Sequence, residues 1–181
     1  MKKVYVLLAE GFELIEALTP VDVLRRGGAD VKTVSISDSF EVMSSQKVMV
    51  KSDLVLKDSD IKDGDMLILP GGYPGYVNLG ESEEVVALVK YYVEQNKFVG
   101  AICGAPSVLA NNSIAEGKKV TCHTSIKDLM KNYSYEEKYV MHDGNIITGM
   151  GAGHSLAFAL ELAESLLNSE EIKKIKTGME L

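Results

Sequence analysis

Three short runs constrain this chain more than any other feature: Val4–Leu8, Asp65–Leu69, and the stretch from Phe98 that stops abruptly at Cys103. Each is almost continuously apolar rather than alternating, which is the pattern of a strand buried on both faces. The segments between them read as helices. Glu13–Arg26 carries Leu14, Ile15, Leu18, Val21 and Leu24 at helical spacing, with Pro20 expected to kink or restart it and Gly27-Gly28 to end it. Glu83–Gln95 is amphipathic behind a Ser82 N-cap, and Ser155–Leu167 is a strong C-terminal helix. Val31–Ile36 alternates like a second strand, and Val42–Leu56 reads as one or two strands around a polar turn at Ser44-Ser45-Gln46. Further on come a short strand at Lys119–Cys122, a short helix at Ser125–Lys131, and a hairpin of Tyr139–Met141 with Asn145–Thr148 around Asp143-Gly144. The charged tail from Ser169 reads as a last helical turn or a frayed end. Strands alternating with helices predict an α/β sandwich of three layers with a largely parallel sheet.

Bulk properties narrow the functional classes. At 181 residues the chain fits one domain, 1–181, with a sizeable core, and no linker or repeat divides it. A formal net charge of −7 argues against a nucleic-acid partner or an acidic membrane surface. The opening Met1–Ala9 segment is too short for a signal peptide and is followed at once by Glu10 and Glu13, and no run approaches transmembrane length. Two cysteines, Cys103 and Cys122, make neither a disulfide framework nor a paired metal motif, so a reducing cytoplasm is the simplest setting.

The chemistry concentrates at Cys103. An apolar strand ends there, Gly104-Ala105-Pro106 turns, and Ser107-Val108-Leu109-Ala110 opens a helix. Such a corner pushes the thiol out of the sheet and offers it helix N–H groups and a positive dipole end. Gly104 permits close backbone approach and Pro106 suits the first helical turn, so the pattern is a nucleophile elbow with Cys in place of Ser. The plain alternative is a small buried hydrophobe. Parallel sheets bind ligands at the carboxyl ends of their strands, where the loop after Leu8, the Pro70–Gly75 loop and the Cys103 elbow converge. Glu16, on the first helix, and His123, after the strand ending at Cys122, complete a thiol–carboxyl–imidazole set capable of nucleophilic and proton-transfer chemistry. The backbone N–H groups of Gly71-Gly72 and Gly104 are placed to hold an oxyanion. Glu16 reads either as a surface residue or, being near Phe12 and Pro20 on the apolar side, as a buried acid that keeps its proton and donates to a thiolate. Glu13 reads as an exposed first-turn acid, His123 alternatively as a strand cap, His142 and His154 as turn residues, and Cys122 as packed. The glycine-rich loops match no full dinucleotide or P-loop pattern.

These residues resemble the ThiJ/PfpI family, in the branch of the human parkinsonism-associated protein deglycase. The matching stretches are Glu10–Glu16, Pro20–Arg26, Leu69–Gly72, Ala101–Pro106, Val120–His123 and Thr148–Gly153, in that order along nearly the whole chain. The resemblance implies a flavodoxin-like sandwich and a homodimer. It makes Cys103 the reactive, oxidation-sensitive cysteine, Glu16 the protonated glutamate that hydrogen-bonds it, His123 the nearby histidine, and Gly72 and Gly104 the positions whose N–H groups face the pocket. Gly104 stands where protease-like members carry histidine, so peptidase activity is not expected. Gln46 and Met150 stand where the human member has two arginines forming an anion site, which takes those cations away from the pocket.

The function this implies is a cysteine-dependent enzyme acting on a small aldehyde such as methylglyoxal, or on an early glycation adduct, with no metal and no cofactor. Cys103 would form a hemithioacetal, Gly72 and Gly104 would hold the oxyanion, and Glu16 or His123 would move the proton. The alternative is a redox sensor or chaperone-like stress protein in which a low-pKa, accessible Cys103 is oxidised.

Overall fold

The buried runs and amphipathic segments resolve into a seven-stranded sheet with helices on both faces in the computed structural model, which describes residues 1–181. In chain order the elements are β1 (Lys3–Leu8), α1 (Leu14–Arg26), β2 (Asp30–Ser35), β3 (Glu41–Met43), β4 (Met49–Lys51), β5 (Leu54–Val55), β6 (Met66–Leu69), α2 (Gly75–Glu81), α3 (Glu83–Glu94), β7 (Phe98–Ile102), α4 (Pro106–Asn111), β8 (Lys119–Val120), β9 (Ser134–Tyr135), β10 (Val140–Asp143), β11 (Ile146–Gly149), α5 (Ser155–Leu166) and α6 (Ser169–Gly178). The sheet runs β10-β11-β7-β6-β1-β2-β5. Every pairing is parallel except β10 with β11 at one edge.

The strands are apolar throughout because each face meets a different core. Tyr5 and Leu7 of β1, Leu67 and Leu69 of β6, and Val99 and Ala101 of β7 pack with Val85, Leu88, Val89 and Tyr92 of α3 and Val108 and Leu109 of α4. The intervening residues, Val4, Val6, Leu8, Met66, Ile68 and Ile102, face the other way onto Ala17, Val21 and Leu24 of α1 and Phe158, Leu162 and Ala163 of α5. This two-residue period across two cores produces the three-layer flavodoxin-like architecture. The chain crosses from β1 to β2 on one side and to β6 on the other, so the topological switch point lies between β1 and β6. Beside it end Leu8, Leu69 and Ile102, which place the three loops of interest on one rim.

Several local expectations need correction. Pro20 does not restart α1, which runs through it as one helix of 13 residues; Ala17, Pro20, Val21 and Leu24 are all buried, and the helix lies along α5. Packing of that face holds the helix together across the missing Pro20 donor. The Val42–Leu56 stretch divides. β3 and β4 form a separate antiparallel hairpin, and β5 returns to the main sheet beside β2. The Ser125–Lys131 helix is a 3-10 segment, Thr124–Leu129. The sequence reading missed α2 and β9. The tail is neither a single turn nor frayed: Asn168 and Glu171 form a capping box, and α6 docks through a fully buried Ile175.

Because Ile175 and Leu167 close over Gly27 at the end of α1, Ile175→Ala is expected to cost about 2–4 kcal/mol in chemical denaturation. Alkylation of Cys103 in the native protein should not change. A loss below about 0.5 kcal/mol would show that α6 is not part of the cooperative fold.

Candidate active site

Cys103 sits at the first position beyond β7 with φ 63°, a left-handed conformation that costs a non-glycine residue free energy. Two hydrogen bonds hold it there. Its N–H donates to Gly149 O at 2.9 Å, and its carbonyl accepts the His123 N–H at 2.9 Å. The chain then turns, with Ala105 N–H donating to Ile102 O at 3.0 Å, and α4 starts at Pro106. This is the strand–cysteine–helix corner read from the sequence. Gly104 is required at it, because a Cβ there would lie 2.4 Å from the Tyr76 ring.

Glu16 is completely buried in the first turn of α1. Its Oε2 accepts the Gly71 N–H at 2.9 Å. Its Oε1 has no hydrogen-bond partner of good geometry, and the group the carboxyl faces is the Cys103 thiol. Gly71 is the wedge between them: a Cβ on it would come within 2.5 Å of Glu16 Oε2 and 2.7 Å of Cys103 Cβ. Any side chain here would force the acid and the cysteine apart.

The two groups titrate as a unit. Burial, and then the nearby Glu13 carboxylate, push the Glu16 carboxyl up from its ordinary 4.5 to about 7, against the pull of Cys103 and the Gly71 N–H. Burial and the Glu16 charge push the thiol up to about 12, opposed by the N–H groups of Gly104 and Gly72. The low-pKa thiol expected from the helix start is therefore not what the site holds while Glu16 is ionised. The pair loses one proton near neutrality and resists losing a second. In its singly charged state it is either a thiol beside a carboxylate or a thiolate beside a carboxylic acid.

The structure thus brings together Cys103, Glu16, Gly72 and Gly104. His123 is adjacent through its backbone, but its side chain is exposed and turned to Ser125: Nδ1 takes the Ser125 N–H at 3.2 Å and pairs with Ser125 Oγ at 2.8 Å, capping the 3-10 segment. Gln46 Oε1 accepts the Leu14 N–H at 3.1 Å, while Met150 is half-buried with its N–H on Tyr139 O. Neither supplies a cation. Cys122 is buried in the α3–α4 core, His142 bonds Glu161, and His154 stacks on Tyr139.

One contributor, Glu13, was misread from the sequence, and another, Tyr76, was missed. Glu13 is not an exposed first-turn acid but the half-buried N-cap of α1, its Oε2 taking the Glu16 N–H at 2.8 Å. A carboxylate three residues before another was the available signal. Tyr76, whose ring roofs Gly104, gave none, because α2 was not foreseen. The largest cleft, lined by Glu137, Tyr139, Val140 and Glu161, does not include Cys103, nor does the one lined by Leu56, Ile61, Leu88 and Tyr91.

The chain matches the family model described as the DJ-1/PfpI family over residues 2–165. It is 38% identical over 183 aligned residues to the Parkinson disease protein 7 homolog of Danio rerio, covering 98% of this chain and 96% of that protein. It is 34% identical to a Caenorhabditis elegans protein named glutathione-independent glyoxalase DJR-1.2, covering 92% of this chain and 89% of that one. The crystal structure of Drosophila melanogaster DJ-1beta superposes with a TM-score of 0.95 at 36% identity, covering 99% of this chain and 98% of that structure.

The raised Glu16 pKa has a stability consequence. Below pH 4.5 the acid is protonated in both folded and unfolded chains. Between 4.5 and about 7 only the unfolded chain ionises, so stability falls as pH rises through that window and is level above it. Against Glu16→Gln, which keeps an acceptor for Gly71, the wild type should lose about 3 kcal/mol between pH 4.5 and 8. Parallel pH profiles for the two proteins in urea denaturation would show that Glu16 is not a buried, protonated acid.

Proposed function

The chain belongs to the DJ-1/PfpI family, and we propose that it is a glyoxalase- or deglycase-type enzyme in which Cys103 attacks the aldehyde carbon of a small α-oxoaldehyde such as methylglyoxal. The observation that carries this reading is the strained Cys103 held against a buried Glu16 that keeps a proton up to about pH 7. The named glyoxalase among its relatives supports the reaction class.

The cycle uses one proton in several places. Transfer from thiol to Glu16 gives the thiolate, which the Gly72 and Gly104 N–H groups favour. Sulfur then bonds to the aldehyde carbon, and the carbonyl electron pair goes to oxygen. Protonated Glu16 delivers its proton to that oxygen, leaving a hemithioacetal and a Glu16 carboxylate. The carboxylate removes the hydrogen from the sulfur-bearing carbon, giving an enediolate, and returns it to the neighbouring carbon as the hydroxyl proton of the first carbon moves to the second oxygen. The product is the thioester of lactate. Water adds to the thioester carbonyl, the C–S bond breaks, and lactate leaves with the Cys103 thiol regenerated. In sum, methylglyoxal and water become lactate and a proton.

His123, its ring engaged on Ser125, has a supporting role at most in this scheme. The homodimer belongs to the same reading: Ile15 on α1 and Val48 and Met49 on the adjoining hairpin are half-exposed apolar side chains that a second copy would cover.

The test is lactate formation from methylglyoxal. Cys103→Ser should fall to background, Glu16→Gln should lose about 100-fold or more in kcat, and His123→Ala should lose about tenfold or less. Full turnover by Cys103→Ser would end the mechanism. No lactate from folded wild type would turn the function to oxidation of Cys103, read by intact mass after mild peroxide.

A further inference from the structure

One aromatic side chain leans directly on the backbone of the cysteine elbow. A Cβ on Gly104 would lie 2.4, 2.5 and 2.8 Å from Cδ1, Cε1 and Cγ of Tyr76, so the ring stands where a side chain of residue 104 would be. Tyr76 is also tied to the other glycine of the site, its N–H donating to Gly72 O at 2.9 Å. The N–H groups of Gly72 and Gly104 are the two that favour the thiolate. Tyr76 therefore touches both residues of the cradle proposed to hold the substrate oxygen. A substituent on the carbon bonded to Cys103 has this ring as a neighbour.

The ring has little freedom to move aside. At the start of α2 a Cβ on Gly75 would lie 2.7 Å from Phe12 N, so the helix is pressed onto the loop after β1. Asn78 Nδ2 donates to Glu10 O at 2.9 Å and fixes the same loop from the middle of α2. On its other side α2 packs along α4, where a Cβ on Gly80 would meet Val108 at 3.6 Å. Tyr76 is half-buried against the core shared by α3 and α4, on the opposite face of the sheet from α1. Ring and glycine belong to one chain, so a second copy seated on α1 and the β3–β4 hairpin leaves their contact in place.

What the ring offers is a flat apolar surface. Tyr73, on the loop before α2, sets its own ring 6.3 Å from that of Tyr76 at 60°. Aromatic rings attract one another at such spacings and tilts. The remaining side chains near the thiol are polar or turned away: Glu16 carries the proton, and the His123 ring is engaged on Ser125. We infer that Tyr76 is a specificity-determining residue, the aromatic wall of the Cys103 site, which selects α-oxoaldehydes bearing an aryl or similarly flat apolar group over methylglyoxal. The substrate class rests on the reaction proposed above; the preference of the thiol for an aryl-bearing electrophile does not.

The experiment separates the two. Rates of Cys103 alkylation by iodoacetamide and by its N-phenyl analogue, iodoacetanilide, are measured on the full chain and assigned by peptide mass. The reagents share one reacting carbon, so their ratio cancels any change in the thiol itself. In Tyr76→Leu the iodoacetanilide-to-iodoacetamide ratio should fall about fivefold from wild type, whereas Tyr76→Phe, which keeps the ring, should stay within about twofold. Should Tyr76→Leu not fold, Tyr76→Met takes its place, since its flexible chain refills the space without a ring. In the substrate arm, kcat/KM for phenylglyoxal relative to methylglyoxal should fall by a similar factor in Tyr76→Leu and hold in Tyr76→Phe. A ratio unchanged without the ring, or a Tyr76→Phe protein that matches Tyr76→Leu, overturns the inference even where methylglyoxal is turned over. A ring-dependent alkylation ratio in a protein that turns over neither aldehyde upholds the aromatic wall and removes the enzymatic reading.

Discussion

A carboxyl with no water around it, set against a thiol, is the constraint to which the rest of this molecule answers. Glu16 is fully buried, and one of its oxygens has a backbone N–H while the other has none. A carboxylate in that position costs several kcal/mol, which the protein avoids by keeping the proton. Keeping it beside a nucleophile demands close approach of three backbone segments, and close approach removes side chains. Gly71 lies between acid and cysteine, Gly72 against Glu13, and Gly104 under Tyr76. The φ of 63° at Cys103 adds a strain of about 1–3 kcal/mol. Its N–H and carbonyl are both bonded, to Gly149 and His123, so segments from two further parts of the chain hold the conformation.

The sheet explains why the pair can exist at this place. At the switch point between β1 and β6 the chain leaves in opposite directions, and the gap beyond the strand ends is open to the first turn of α1. The acid arrives on a helix packed along α5, and the thiol on a strand between β6 and β11. Neither rides on a long loop, so their spacing inherits the rigidity of both cores. The β3–β4 hairpin, which lies outside the main sheet, contributes by closing the start of α1 through Gln46 and through Ser45, whose N–H donates to Phe12 O at 2.9 Å.

Where each expectation succeeded follows from how local its cause was. The buried strands were legible because Val4–Leu8, Asp65–Leu69 and Phe98–Ile102 are unbroken apolar runs, and the elbow because strand, cysteine, Gly104 and Pro106 are contiguous. The continuity of α1 through Pro20 was not legible, since it depends on α5, well over a hundred residues away. The docking of α6 needed the capping box at Asn168 to be read together with the empty face of Gly27. In the site, Glu16 and the glycines followed from position on the rim and from family resemblance. The state of the thiol did not. A helix start alone predicts a lowered pKa, and the opposite direction arises from burial and from a carboxyl 87 positions earlier in the chain.

That reversal bears on what the site is for. A sensor cysteine works through a standing thiolate, which peroxide finds directly. Here a thiolate forms only as Glu16 takes up the proton, so the nucleophile and a carboxylic acid are created in the same event. The proposed addition to an aldehyde would use both products: sulfur would attack carbon while the acid protonated the oxygen that sulfur had just made basic. The carboxylate left behind is then the base the next step requires, since the hydrogen to be moved sits on the carbon now bonded to sulfur. In the proposed cycle each protonation state of Glu16 would prepare the following one, and a pKa near 7 lets both be reached at neutral pH. A carboxyl at its ordinary value would spend its time as a base and leave the sulfur protonated; one raised much further would stay an acid and stall at the hemithioacetal. Burial against a single N–H, with Glu13 nearby, sets the value between those failures.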